Sequence, residues 1–447
     1  MNLILILLVI LFIIIFIFFI YFINIYNTNS SSTSPTTTSR SITTSRSITT
    51  SRPTTTSRPT TTSRPTTTSQ PTTTSRPTTT STITTTKAID ILEKCRLPRL
   101  SARNDVAIGF PSIPERLKTI GNIIAKVIFV DFPDAPASKT PQNVFSLISQ
   151  APSLFTEMSY GKMNLILEPT YKWYRMSKNS SLYAPLNASE NHRPYIQEAI
   201  NLVKSDINFS NADTIIIMSN PDAANIGQPG PFFVASNGNG FTLNGKYISN
   251  IATSGHDINY WGYIWLNHEF GHGLGLPDLY TFTPVNGNYH PYVGGYSYMG
   301  ITRGNSPGLF AWERWLLGWL NSDQIGCYNI SNGIDIIGAF LTPIQRIGGV
   351  KAVMISISES KVVMIECRRK EGIDINMQKP GILVYVVDSS IETGMGPIRV
   401  YPSDSSDLEK KNSTRAVGES VFIEGIFIKV INSTNEGDFI KISKSIF

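Results

Sequence analysis

Two histidines, a glutamate and an aspartate fall within the eleven residues His268-Glu269-Phe270-Gly271-His272-Gly273-Leu274-Gly275-Leu276-Pro277-Asp278. Read as a helix, this stretch sets His268 and His272 one turn apart on one face, close enough to share a metal ion. Glu269 lies to one side of the pair, where its carboxylate can reach a water on the metal without being a ligand itself. Two neutral imidazoles, one further protein ligand and an open position for water and substrate are the donor set of a catalytic zinc. The helix must then stop: Gly275 supplies the left-handed residue past the last turn, and Pro277 forbids continuation. That reversal swings Asp278 back toward the histidines as a third ligand. The plainer alternative is a buried helix whose two histidines hydrogen-bond locally. The turn glycine, the ligand-type Asp278 and the apolar Tyr263, Ile264, Leu266, Phe270 and Leu274 between the polar positions weigh against it.

Apolar runs before the motif supply a scaffold for it. Residues 123–132, mostly apolar and ended by Pro133, read as a buried strand. Val144 to Met158 reads as one helix, followed by a strand over Leu165–Glu168. Arg193 to Asp206 has helical spacing of Ile196, Ala199, Ile200 and Val203. Thr214–Met218 is a second buried strand, and Phe232–Ala235 a short one inside the Gly/Asn/Pro-rich stretch 219–245. Lys246–Thr253 is expected as the edge strand above a substrate cleft. After the motif, Leu309–Leu320 reads as a strongly apolar helix. From Ile330 onward short β-type runs take over: Gly338–Thr342, Val350–Ser356, Lys361–Glu366, Gly381–Val387, Ser420–Ile423, Ile426–Ile431 and Phe439–Ile442. The fold class expected is α+β, with a mixed sheet and an active-site helix over 121–325 and a β-rich region over 326–447. Residues 88–120 form a lead-in or short pro-segment.

The first quarter of the chain belongs to no core. Leu3–Ile23 is an uncharged apolar run of 21 residues, roughly 31 Å as a helix, long enough to span a bilayer. Residues 1–25 therefore read as a signal anchor or signal peptide, with the anchor favoured because Met1-Asn2 offers no basic side chain. Residues 26–87 hold a six-residue repeat, Ser-Arg-Ser-Ile-Thr-Thr and then Ser-Arg-Pro-Thr-Thr-Thr, which reads as a disordered, O-glycosylated stalk. Six arginines and no acid lie in that stalk, so the net charge of +6 leaves the remainder near zero. Nucleic acid is accordingly not expected as a partner. N-x-[ST] acceptors at Asn29, Asn179, Asn187, Asn208, Asn329, Asn412 and Asn432 fit an exported chain, either secreted or membrane-anchored with the folded part outside the cytoplasm. Of the three cysteines, Cys327 and Cys367 are the simplest disulfide pair, with Cys95 left over. A sharper reading makes Cys95 an inhibitory thiolate on the zinc.

With those residues in hand, the chain resembles the immune inhibitor A type of zinc metallopeptidase, a metzincin-like family. Residues 126–134, the Ser159-Tyr160-Gly161-Lys162 segment, His268 through Tyr280, and Trp312-Glu313-Arg314-Trp315-Leu316-Leu317-Gly318-Trp319 carry the resemblance. Weaker similarity continues through Glu366-Cys367-Arg368 and 381–385. The resemblance implies a zinc endopeptidase acting on proteins or peptides, one catalytic zinc on His268 and His272, and Glu269 as general base. It also implies a methionine turn at Met299 beneath the metal. In most metzincins the third ligand is histidine; here that position is Asp278, with His290 and Asp257 as alternatives. Tyr280, Tyr296 and Tyr298 are candidates for a phenol that stabilises the oxyanion. Calcium sites are not legible. The competing reading is a catalytically inactive, peptidase-like adhesion protein displayed on the stalk.

Overall fold

The computed structural model describes residues 95–103, 105–227, 232–235, 238–329, 336–402, 407 and 410–444. All belong to one compact unit, Thr79–Phe447. It is mixed α and β, with several sheets and few helices, an α+β arrangement. The elements are β1 (Gly121–Asp131), α1 (Pro141–Phe145), α2 (Ala151–Met158), β2 (Met163–Arg175), α3 (Ser189–Val203), β3 (Thr214–Ser219), β4 (Phe233–Val234), β5 (Phe241–Leu243), β6 (Lys246–Ile248), β7 (Asn250–Thr253), α4 (Ile258–Trp261), α5 (Tyr263–Gly273) and α6 (Ala311–Leu316). Strands β8 (Ile325–Asn329), β9 (Ile336–Leu341), β10 (Ala352–Ser356), β11 (Lys361–Arg368), β12 (Gly381–Asp388), β13 (Ile398–Val400), β14 (Ser420–Ile423), β15 (Ile426–Ser433) and β16 (Asp438–Ser443) follow.

The first sheet runs β2-β1-β3-β7-β4, with β1 parallel to β2 and β3, β3 parallel to β7, and β4 antiparallel to β7 at the edge. The interior position of β1 explains why residues 123–132 are apolar without alternation: both faces are covered. Ile123, Ala125, Val127 and Phe129 pack with α2 and α5, while Ile128 and Val130 pack with α3 on the other face. The stretch 144–158 is two helices rather than one, because Pro152 opens α2 and cannot continue a preceding turn. The run expected over Leu309–Leu320 is helical only over α6; Gly318, at φ +75°, turns the chain. The edge strand is β4, not Lys246–Thr253, which breaks at Ser249 into β6 and an interior β7.

A second sheet, β13-β12-β11-β10-β8, is buried on both faces. One face (Val353, Ile355, Val363, Ile365, Val384) meets the antiparallel sheet β14-β15-β16-β9 in a sandwich. The other (Met354, Val362, Met364, Leu383, Tyr385) joins the core around α5 and α6. A fully buried polar network stitches this junction. Arg368 donates to Glu366 (2.6 Å), Asp374 (3.0 Å) and the Gly308 carbonyl, while Glu366 accepts from the Ala311 amide (2.7 Å) and the Tyr385 hydroxyl (2.8 Å).

The disulfide joins Cys95 to Cys327, and Cys367 is a buried free thiol, correcting the expected Cys327–Cys367 pair. Cys367 points into the sandwich on β11, whereas Cys327 on the outer strand β8 is reached by the start of the folded chain. Cys95 is therefore not available as a thiolate on the zinc. The segment after it is part of the core: Leu97, Ile108 and Leu117 are buried, and the Ile108 and Thr119 carbonyls accept from the indoles of Trp312 and Trp319.

The apolar run Leu3–Ile23 and the repeat stalk lie outside the described residues. Among the described residues no helix is long and apolar enough to cross a membrane. A membrane anchor, the membrane as a partner, a membrane-anchored location and the signal and transmembrane designations therefore have no structural support and are withdrawn.

Candidate metal centre

Helix α5 carries His268, Glu269 and His272 and packs on α2, where Asn267 donates to the Ala151 carbonyl at 3.0 Å. It ends in the turn its glycines demand. Gly275 has φ +96°, its amide donates to the His272 carbonyl (2.9 Å), and the Leu276 amide reaches back to the Gly271 carbonyl (2.9 Å), a Schellman closure. The chain then doubles back, and the Leu279 amide donates to the Met299 carbonyl at 2.8 Å. Asp278 is thereby held over the helix face that carries both histidines, and its own amide donates to the Thr393 hydroxyl at 2.9 Å.

Asp278 Oδ1 lies 3.2 Å from His268 Nε2 and 3.3 Å from His272 Nε2. The other ring nitrogen of each histidine is engaged by a backbone carbonyl: His268 Nδ1 with Tyr298 (3.0 Å) and His272 Nδ1 with Leu276 (2.9 Å). A carbonyl only accepts, so each Nδ1 carries the proton and each neutral imidazole turns a bare Nε2 toward the carboxylate. Three lone pairs thus face one another, which an interposed cation resolves. Donors about 2.0–2.1 Å from a tetrahedral zinc stand about 3.3 Å apart, which the two distances to Asp278 match, and all three donor atoms lie within 4.8 Å of one another. With no cation between them, burial opposes a charge on His272 but Asp278 outweighs it and pushes the imidazole up to about 9. Burial likewise opposes the Asp278 charge, yet the two histidines hold its carboxyl far below the usual carboxylate range.

Glu269 stands beside this cluster and outside it. Burial raises its pKa, and its Oε2 has no hydrogen-bond partner. The cluster opens on a cleft of about 560 Å³ bordered by His268, Glu269, Asp257, Tyr280, His290 and Trp265, among others. Asp257 and His290, weighed as third ligands, line the cleft but stand outside the three-donor cluster. Of the candidate phenols, Tyr280 borders the cleft with its ring stacked on His268, centroids 6.2 Å apart. Tyr296 and Tyr298 are buried. Met299 is fully buried against Gly271, on the floor of the helix between the two histidines. The positioning role of Tyr298, through its carbonyl, carries no side-chain signal and is invisible in the sequence.

No protein-family model matches the chain, and no curated protein matches it. Among solved structures, catalytic inactive OgpA from Akkermansia muciniphila in complex with an O-glycopeptide (glycodrosocin) substrate is similar at 11% sequence identity and a TM-score of 0.24. That match covers 72% of this chain and 91% of the other. A likeness this distant carries no argument about fold or function.

Proposed function

We propose that this protein is a zinc-dependent peptidase with a zincin-like catalytic part, its metal held by His268, His272 and Asp278. The observation that carries this reading is the convergence of two imidazole nitrogens and a carboxylate oxygen within 4.8 Å of one another, the oxygen 3.2 and 3.3 Å from the two nitrogens. Zinc bound there would act as a Lewis acid, lowering the pKa of a water and polarising a carbonyl. The chain's own groups do the rest. Glu269, desolvated and with one oxygen free, accepts the proton of the attacking water and returns it to the leaving amine. The carbonyls of Tyr298 and Leu276 fix both imidazoles in the ligating tautomer. Tyr280, at the mouth of the site, is positioned to donate its phenol to the oxyanion. Strand β4, antiparallel at the sheet edge, offers an edge along which an extended peptide can lie.

The test is zinc stoichiometry and casein cleavage by the purified chain, with and without a chelator, beside Glu269→Gln. One zinc per chain, chelator-sensitive cleavage, and a Glu269→Gln variant that keeps zinc but loses turnover by about 10²-fold or more are expected. Cleavage by Glu269→Gln at the wild-type rate would end the mechanism. A folded chain that takes no zinc would make the histidines structural.

A further inference from the structure

The turn beneath the metal centre stands in a conformation that its own residues disfavour. Ser297 has φ +64°, left-handed backbone that residues other than glycine rarely adopt. Such a residue persists where its surroundings fix it. The turn closes with the Gly300 amide on the Ser297 carbonyl (2.9 Å), and the Tyr298 amide donates to the Pro307 carbonyl (2.8 Å). Two successive carbonyls are thereby presented to the centre. That of Tyr298 meets His268 Nδ1, and that of Met299 accepts from the amide of Leu279, next to Asp278.

The Ser297 side chain ties this turn to a different helix. Its hydroxyl accepts from the Met299 amide (3.2 Å) and donates to Glu313 Oε1 (3.3 Å), and both Ser297 and Glu313 are fully buried. With the hydroxyl proton on the carboxylate side, the serine lone pairs are left for the amide. Glu313 lies on α6, where its other oxygen accepts from the Phe310 amide at 2.8 Å. Helix α6 is a firm base for this contact. The Ala311 amide donates to buried Glu366 (2.7 Å), and Arg314 donates to the carbonyls of Leu309 (3.0 Å), Ile344 (3.0 Å) and Met158 (3.3 Å). A path of hydrogen bonds thus runs from α6 through one hydroxyl to the backbone that orients His268.

We propose that Glu313 is a positioning residue of the metal centre, acting through Ser297 to fix the Tyr298 carbonyl against His268. The assignment rests on the metal reading above and extends the centre to a second helix. His272 lies outside this arrangement, because Leu276, in the turn that ends α5, holds its Nδ1. The two histidines therefore depend on different parts of the chain, His268 on α6 and His272 on the end of its own helix.

The experiment uses the full chain and zinc, with affinity read by competition against a chromophoric chelator. Ser297→Ala and Ser297→Gly both remove the hydroxyl, and glycine also relieves the left-handed backbone. Each is expected to bind zinc about 10-fold more weakly than wild type, as is Glu313→Gln, which keeps the shape but loses one acceptor. Because the two side chains act in series, Ser297→Ala/Glu313→Gln should lose no more than the larger single loss. A second readout separates positioning from general damage. In the zinc-loaded chain, proton NMR follows exchange of the two imidazole Nδ1 protons with water. The His268 proton should exchange faster in each variant, and the His272 proton at the wild-type rate. Ser297 variants within about twofold of wild type in affinity, losses that add in full, or both protons accelerated alike overturn the proposal. Should Glu313→Gln fail to fold, the two Ser297 variants carry the test. A wild-type chain that takes no zinc overturns the metal reading and the proposal with it, whereas a zinc-binding wild type with unchanged Ser297 variants overturns the proposal alone.

Discussion

Replacing Gly271 with alanine puts one methyl group between the two candidate ligands and the floor beneath them. A Cβ at this position would sit closer to Met299 Sδ than any real Cβ approaches a sulfur, 3.1 Å from Met299 Cε and 3.5 Å from Tyr298 Cε2. Helix propensity alone favours alanine over glycine by about 0.8–1.0 kcal/mol. Against that, carbon and its neighbours need about 3.5–4.0 Å, and Met299 is fully buried, so its thioether has no solvent to swing into. Overpacking of this kind costs about 1–3 kcal/mol, leaving a net loss of up to about 2 kcal/mol. The metal centre should suffer more than the fold. The displaced segment carries the Tyr298 carbonyl that orients His268 and the Met299 carbonyl that holds Leu279, the neighbour of Asp278. Disturbing such supports costs about 10- to 100-fold in metal affinity. Thermal melts of metal-free protein and competition against a chromophoric zinc chelator measure the two effects, and Gly271→Ala/Met299→Ala should recover part of the affinity. An alanine variant that melts higher than wild type and binds zinc equally would refute the packing argument.

Three further outcomes follow from other parts of the molecule. His192 is buried, its Nε2 beside the Thr253 hydroxyl at 2.9 Å, and burial lowers its pKa to about 4. The unfolded chain therefore takes up this proton first, so stability is full above about 6.5 and falls by up to about 1.4 kcal/mol per pH unit on acidification toward 4; melts of His192→Gln should show a shallower acid limb. Arg368→Met alone strands Glu366 and Asp374 in the core and should cost about 3–5 kcal/mol in denaturant unfolding, a loss that a neutral replacement of Glu366 partly offsets. Thiol titration of the denatured, unreduced chain should find one reactive cysteine, Cys367, and Cys327→Ser should find two, with about 2–5 kcal/mol lost in denaturant unfolding.

What could be read in the chain was what local pattern encodes. The motif helix, its glycine stop and the return of Asp278 depend on residues within eleven positions of one another, and the structure brings His268, His272 and Asp278 to one point. Strands such as β1, β3 and β12 announce themselves by unbroken apolar runs. Long-range choices were not written locally. Cys327 pairs with a residue 232 positions away because β8 lies at the outside of its sheet, while Cys367, nearer in sequence, faces the sandwich core. Strand β4 was expected as a short strand over Phe232–Ala235, but nothing in its two residues says that it takes the edge that Lys246–Thr253 was expected to hold. The short strands β8 and β13 were missed for the same reason: sheet neighbours define them more than their own side chains do.

The bond between Cys95 and Cys327 also changes how damage to this protein would look. It closes a ring containing the whole first sheet, α5 and Asp278. The stretch 283–288, largely exposed and turning at Asn286 with φ +51°, lies inside that ring. A protease that cuts there produces two polypeptides that remain a single covalent object. Such a molecule keeps His268, His272 and Asp278 on one piece, migrates as an uncut chain until a reductant is added, and separates only then. Mass measured without reduction rises by a single water, so such cleavage is counted from reduced samples.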